Sequence, residues 1–131
     1  MRSVSLILGA VIITFGLATH AIAAPNPDDP CRNATNDREM RACRQAQLAE
    51  SERHLNETFA RLHKAQISDE PKLAELLTAA QAAWRNYRDV ECQVRTYDSA
   101  SGTAYDLYLN SCLQELNRER ADRLQWMLDH P

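Results

Sequence analysis

Between Gln81 and Cys92 the chain reads Gln-Ala-Ala-Trp-Arg-Asn-Tyr-Arg-Asp-Val-Glu-Cys, and this stretch gathers side chains able to do chemistry. At about 100° per residue, Gln81, Trp84, Arg88 and Cys92 share one helix face. An amide, a large aromatic, a guanidinium and a thiol are thereby brought together. Two uses follow. In a structural one, Trp84 and Tyr87 pack in a core, Arg88 pairs with a carboxylate and Cys92 enters a disulfide. In a binding one, Arg88 reaches the surface and addresses an acidic partner. Aromatics at helical spacing mostly form core, which favours the structural use.

A buried guanidinium needs a partner. Asp89, next in sequence, points away from Arg88 on a regular helix. The partner is therefore expected from another helix or a helix end, and Glu39 and Glu115 are the candidates.

Catalysis finds little support. His54, His63 and His130 lie far apart, with no Ser, Cys or carboxylate at a telling spacing. No Cys-x-x-Cys occurs and no His stands at zinc-ligand spacing from a Cys, so neither a metal nor a cofactor is expected. The protein reads as a non-enzyme.

The elements that position these residues begin behind an address. Arg2 precedes an apolar run, and Ala21-Ile22-Ala23 has the small-x-small pattern of a cleavage site. Residues 1–23 are expected to be a signal peptide, too short a run to favour a stable membrane span. No Cys follows the cleavage site directly, which argues against a lipid anchor. Residues 24–35 read as a Pro- and Asp-rich linker and extension, and residues 36–131 as one helical domain. Cleavage removes Arg2 from the 15 basic residues and none of the 18 acidic ones, leaving a net charge of −4. Interspersed charges of this sign argue against nucleic acid as a partner.

Asn36 followed by Glu39 resembles a capping box opening a first helix that runs to about Gln66. Met40, Cys43, Leu48, Leu55, Phe59 and Leu62 trace its stripe. Ile67–Pro71 reads as a turn in which Ser68 or Asp69 caps a second helix running to about Arg95. Leu73, Leu76, Leu77, Ala80, Ala83, Trp84 and Tyr87 form its apolar face. Tyr97–Ala104 contains Gly102 and reads as the second connection. A third helix then runs from about Tyr105 to Asp129, with Leu109, Cys112, Leu113, Leu116, Leu124, Met127 and Leu128 buried and Arg120 interrupting. No strand-like alternation appears. The expected fold is all-α, a three-helix up-down-up bundle.

Cys31, Cys43, Cys92 and Cys112 collect at one end of such a bundle. An even count in a small exported domain reads as two disulfides. Local pairing, Cys31–Cys43 with Cys92–Cys112, is favoured. Cys43–Cys92 with Cys31–Cys112 is sterically open at the same end.

The chain resembles the LprI-like family, small exported bacterial proteins named after a lysozyme inhibitor. The resemblance rests on Cys31 before Glu39-Met40-Arg41-Ala42-Cys43, on Leu55-Asn56, and on Gln81, Trp84, Tyr87, Arg88, Asp89 and Cys92. It closes with Cys112-Leu113, Leu116, Arg120 and Leu124. Two positions depart from the family pattern. Ser101-Gly102-Thr103 replaces Gly-Gly-Ser, and Asn117 replaces a Thr. The resemblance implies an exported all-α domain that inhibits lysozyme.

Two functions are carried forward. One is a periplasmic or secreted inhibitor of lysozyme-type glycosidases, which use a carboxylate pair in a cleft. Arg95, Tyr97, Ser99, Ser101, Gly102 and Thr103 would present donors to that pair. The other is a periplasmic interaction module for an unrelated protein, with the motif residues serving only the fold.

Overall fold

The computed structural model describes residues 28–131, so the expected signal peptide lies outside the described residues. Three helices follow one another: α1 (Asp37–Asp69), α2 (Pro71–Arg95) and α3 (Tyr105–Asp129), with a short 3₁₀ turn at Tyr97–Ser99. No strand occurs among the described residues. None of these helices is long and apolar enough to cross a membrane.

Helix α1 has 33 residues and contains no Pro or Gly to interrupt it. Asn36 caps it, its Oδ1 accepting from the Glu39 N–H at 3.0 Å. The return half of the box is displaced by one residue. The Glu39 carboxylate accepts from the N–H of Thr35 at 2.8 Å and from its hydroxyl at 2.9 Å. These bonds hold the Glu39 carboxyl below its ordinary pKa. Glu39 is thus committed to the helix start and does not reach Arg88.

The first turn is tighter than the sequence suggests. Ser68 and Asp69 still belong to α1, and Glu70 alone separates the helices. Its N–H donates to the Gln66 carbonyl at 2.8 Å, and its own carbonyl accepts from Leu73 at 2.8 Å. No side chain caps α2; instead Pro71 at its start has no N–H requiring a partner.

Cross-helix contacts give the directions. Gln47 meets Gln114, Ser51 meets Asn117 and Arg61 meets Gln125, so α1 and α3 run parallel in constant register. Arg85 and Arg88 of α2 meet Asn56 and Glu52 of α1, and Gln81 and Arg88 meet Arg120 and Asn117 of α3, so α2 runs against both. The bundle is up-down-up, and α1 packs most extensively on α3.

Two apolar clusters fill it. Leu55, Leu62, Leu77, Ala121 and Leu124 form one, with Phe59, Met127 and Leu128 at its edge. Cys92, Cys112 and Leu116 form the other, with Leu109 and Leu113 beside them. Trp84 is half-buried and touches both. Each fully buried Leu contributes roughly 1.5–3 kcal/mol. Ser51, Thr58, Gln81, Gln114 and Asn117 are also buried, so a polar layer accompanies the apolar ones.

The single apolar face expected on α2 is in fact two. Ala74, Leu77, Gln81 and Cys92 turn inward. Leu73, Leu76, Ala80, Ala83 and Tyr87 face solvent. Only one flank of α2 is covered by α1 and α3, and the inward set already fills it. Tyr87 is therefore not core.

Both local disulfides form. Cys31 joins Cys43 and Cys92 joins Cys112, each with a Cα separation of 5.7 Å. Asp29, at the end of the expected linker, is fastened to α1. Its carboxylate accepts from Cys31 N–H at 2.9 Å and pairs with Arg44.

Candidate partner-binding site

The connection between α2 and α3 is the best-braced loop of the described chain. On one side the Cys92–Cys112 bridge ties the two helices below it. Thr96 ends α2, its N–H and its hydroxyl both donating to the Cys92 carbonyl, at 3.1 and 2.7 Å. Successive turns carry the chain across: Ser99 N–H to Thr96 O, Ala100 to Tyr97, and Gly102 to Ser99 at 2.8 Å. A Cβ at Gly102 would lie 3.2 Å from the Ser99 carbonyl oxygen, which favours the residue with none. From the far side Arg41 of α1 clasps the loop, its guanidinium donating to the Thr103 carbonyl and to the Asp106 carboxylate. Arg41 holds the Asp106 carboxyl below the usual aspartate range, chiefly through that hydrogen bond.

The six loop-end candidates divide on this frame. Tyr97 stands out at 77% exposure. Ser101, Gly102 and Thr103 are exposed beside it, and Ser99 is half-buried. Arg95 is already engaged, bonding Glu91 at 2.8 Å and reaching Glu115 at 3.4 Å. It stitches α2 to α3 and offers less free charge than its position suggested. Arg41 and Asp106 were not among the sequence candidates; nothing in local spacing connects residues 65 apart.

The motif residues are gathered elsewhere, at mid-bundle. Arg88 donates through Nη1 to Asn117 Oδ1 at 2.8 Å, and the Asn117 amide donates to the Ser51 hydroxyl at 3.1 Å. Ser51 donates on to the Leu48 carbonyl at 2.7 Å. One polar chain thus crosses all three helices. Asp89 does not point away. Its carboxylate accepts from Arg88 Nε at 2.8 Å and Nη2 at 2.6 Å, and Glu52 lies 3.6 Å off. The long Arg88 side chain folds back along the helix, which a count of Cβ directions does not foresee. Glu115, the other expected partner, faces Arg95 instead.

Trp84 lies between two guanidiniums, with Arg88 5.5 Å and Arg120 5.8 Å from its ring centroid. Arg120 donates to Gln81 Oε1 at 3.0 Å. Burial pushes the Arg120 pKa down, with Arg123 adding to the effect. Asn56 of the Leu55-Asn56 pair accepts from Arg85 at 2.7 Å, while Leu55 is core. The hollow beside Arg88, lined by Glu52, Leu55, Asn56 and Arg85, holds about 110 Å³. That suits a few waters, not a ligand. Gln81, Arg88 and Arg120 bond between helices, Trp84 packs against both clusters and Asp89 holds Arg88 within α2, whereas Tyr97 and Ser101–Thr103 are exposed.

The described histidines form no cluster. His63 stacks on Phe59 and His130 on Trp126, each within its own segment. Among the described residues no group of three His, Cys, Asp or Glu side chains could hold a metal ion.

Known proteins share this framework. An uncharacterized protein of Rhizobium meliloti (strain 1021) is 24% identical over 116 residues, spanning 81% of this chain and 84% of its own. The crystal structure of a DUF1311 family protein from Pseudomonas putida KT2440 superposes with a TM-score of 0.68 at 29% identity. It covers 73% of this chain and 97% of that one. The family model described as lysozyme inhibitor LprI matches residues 30–124, from just before the first disulfide to the last core leucine of α3, and the chain belongs to that family.

Proposed function

We propose that this protein is exported and inhibits a lysozyme-type glycosidase by docking the α2–α3 loop end against the enzyme's cleft. The observation that carries the reading is the exposure of Tyr97, Ser101 and Thr103 on a loop fixed from both sides, by Cys92–Cys112 and by Arg41. A binding loop already rigid in the free state loses little entropy on docking. Hydroxyls and an aromatic can meet a carboxylate-lined, sugar-binding cleft without a bound cofactor. An acidic net charge speeds encounter with a basic enzyme. Two disulfides fit an oxidising compartment, and the apolar run ending in Ala21-Ile22-Ala23 would deliver the chain there.

The test is lysis of cell-wall substrate by a panel of lysozymes with the oxidised protein added. Inhibition that is lost in Tyr97→Ala, at an unchanged melting temperature, supports the reading. Inhibition that survives Tyr97→Ala and Thr103→Ala together moves the contact elsewhere. No inhibition of any lysozyme, with a different protein retained from periplasmic extract, leaves the interaction module.

A further inference from the structure

The outer face of α2 is apolar along most of its length, and none of the described residues covers it. Leu73, Leu76, Ala80, Ala83, Tyr87, Val90 and Val94 follow one another at alternating intervals of three and four. This is the repeat of a coiled-coil seam, here pointing away from the bundle. Leu76 is 57% exposed, Tyr87 52%, Val90 51% and Val94 66%. Scattered exposed apolar residues are ordinary on a small protein, but seven in heptad register on one helix are not.

The order of side-chain sizes along the seam suggests its occupant. We propose that the seam pairs two copies of this chain through antiparallel α2 helices. Antiparallel pairing about a two-fold axis near the helix middle sets Leu76 against Val94 of the second copy. It sets Ala80 against Val90, and Ala83 against Tyr87. The two inner layers on each side of the axis thereby match an alanine with a larger side chain. Such matching fills space while letting the helices approach closely. Parallel pairing would instead oppose Ala80 to Ala80 and Tyr87 to Tyr87, leaving gaps and crowding in alternation. The flanks agree. Around the axis the flanking Ala79 and Asn86 carry no charge, which lessens repulsion between two acidic chains there. At the ends, Lys72 of one copy approaches the Asp98 end of the other, and the helix dipoles oppose.

Side chains of the seam expose on the order of 500 Å² per chain, so pairing would bury about 1,000 Å² in total, the lower limit for a specific interface. The dimer is accordingly reversible and concentration-dependent. The same register brings Leu73 of one copy opposite Tyr97 of the other, so the dimer reaches the edge of the α2–α3 loop, and it is read on the purified protein with no partner of that loop present.

Sedimentation of the purified oxidised protein over a concentration series tests this. The wild type should move toward twice the monomer mass as concentration rises. Leu76→Lys and Val94→Glu, both at solvent-facing positions, should each weaken association about tenfold or more and leave the thermal melt of the dilute monomer unchanged. The double variant L76K/V94E should recover much of the association, because the antiparallel layer puts the new charges opposite each other. A wild type that stays monomeric throughout overturns the proposal. So do single variants that associate as well as the wild type, or a double variant that recovers nothing. A monomer whose seam is instead needed for binding a glycosidase also overturns it.

Discussion

Across the α2–α3 interface Arg88 donates to Asn117 Oδ1 at 2.8 Å, and Asn117 has no exposed surface at all. The acceptor is uncharged. The compensating charge comes from Asp89 and, at longer range, Glu52, both at the solvent edge. The guanidinium therefore reaches inward with one arm and stays neutralised at the surface with the others. Such an arrangement avoids the desolvation cost of a fully buried ion pair.

Arg88→Met removes the donor and strands a buried amide oxygen. The expected loss is about 1–3 kcal/mol of stability. Chemical denaturation measures it. Any lysozyme inhibition should persist per folded molecule, since Arg88 lies at mid-bundle, away from Tyr97. A variant with wild-type stability and no inhibition would assign Arg88 to binding instead.

Asn117→Ala should cost about as much, and the two substitutions together should cost less than their sum. The coupling energy in a double-mutant cycle is expected at roughly 0.5–3 kcal/mol. Strict additivity would mean that the pair contributes nothing jointly.

Trp84→Ala is expected to destabilise by about 3 kcal/mol, the low end for large aromatics, because the ring is half-buried. Trp84→Phe should cost less while still weakening both guanidinium contacts. Thermal melts of the two variants, read side by side, check the order.

Removing the Cys92–Cys112 bridge by paired serines should lower stability by about 3 kcal/mol on the chain-entropy account. Removing Cys31–Cys43 should lower it less, since that bridge secures a terminal segment that Asp29 and Arg44 also hold. Melting temperatures of the two paired variants decide. Equal losses would show that the N-terminal segment is as integral as the helix pair.

Acid should loosen the same segment. The Asp29 carboxyl is held below its ordinary value, first by Arg44 and then by the Cys31 N–H. Its contribution is present above the unfolded aspartate pKa, near about 4, and is lost as pH falls through the lower folded value. Asp29→Asn should therefore be less stable at neutral pH and show a shallower decline on acidification. A pH series of denaturation midpoints tests both signs.

The three helices were legible because local rules set them: Asn36 capping α1, no Pro or Gly from Asn36 to Gln66, and Gly102 in the second connection. The end of α1 was set too early, because Ser68 and Asp69, read as caps of α2, continue α1. Loop geometry favoured the local disulfides without closing off Cys43–Cys92 with Cys31–Cys112, and the structure decides for the local pair. The side chains that cross between helices were not. Arg41 with Asp106, and Ser51 with Asn117, lie 65 and 66 positions apart, and no local pattern links them. Asn117 stood out only as a departure from the family pattern. The two faces of α2 were merged into one because hydrophobicity marks what avoids water, not what a three-helix bundle has room to cover. Leu76 and Tyr87, both read as part of the buried face, are more than half exposed.

The partners in the largest interface, α1 and α3, are the first and last of the described helices. Their matching residues sit 64 to 67 positions apart, with all of α2 between them. Closing that interface requires a long chain excursion, which slows folding relative to neighbour-on-neighbour packing. The α1–α2 hairpin alone leaves Leu55 and Leu62 without Ala121 and Leu124 to cover them. A ribosome that has released α1 and α2 but not α3 therefore holds a chain that cannot yet lock shut. Commitment to the native state waits for α3 to emerge.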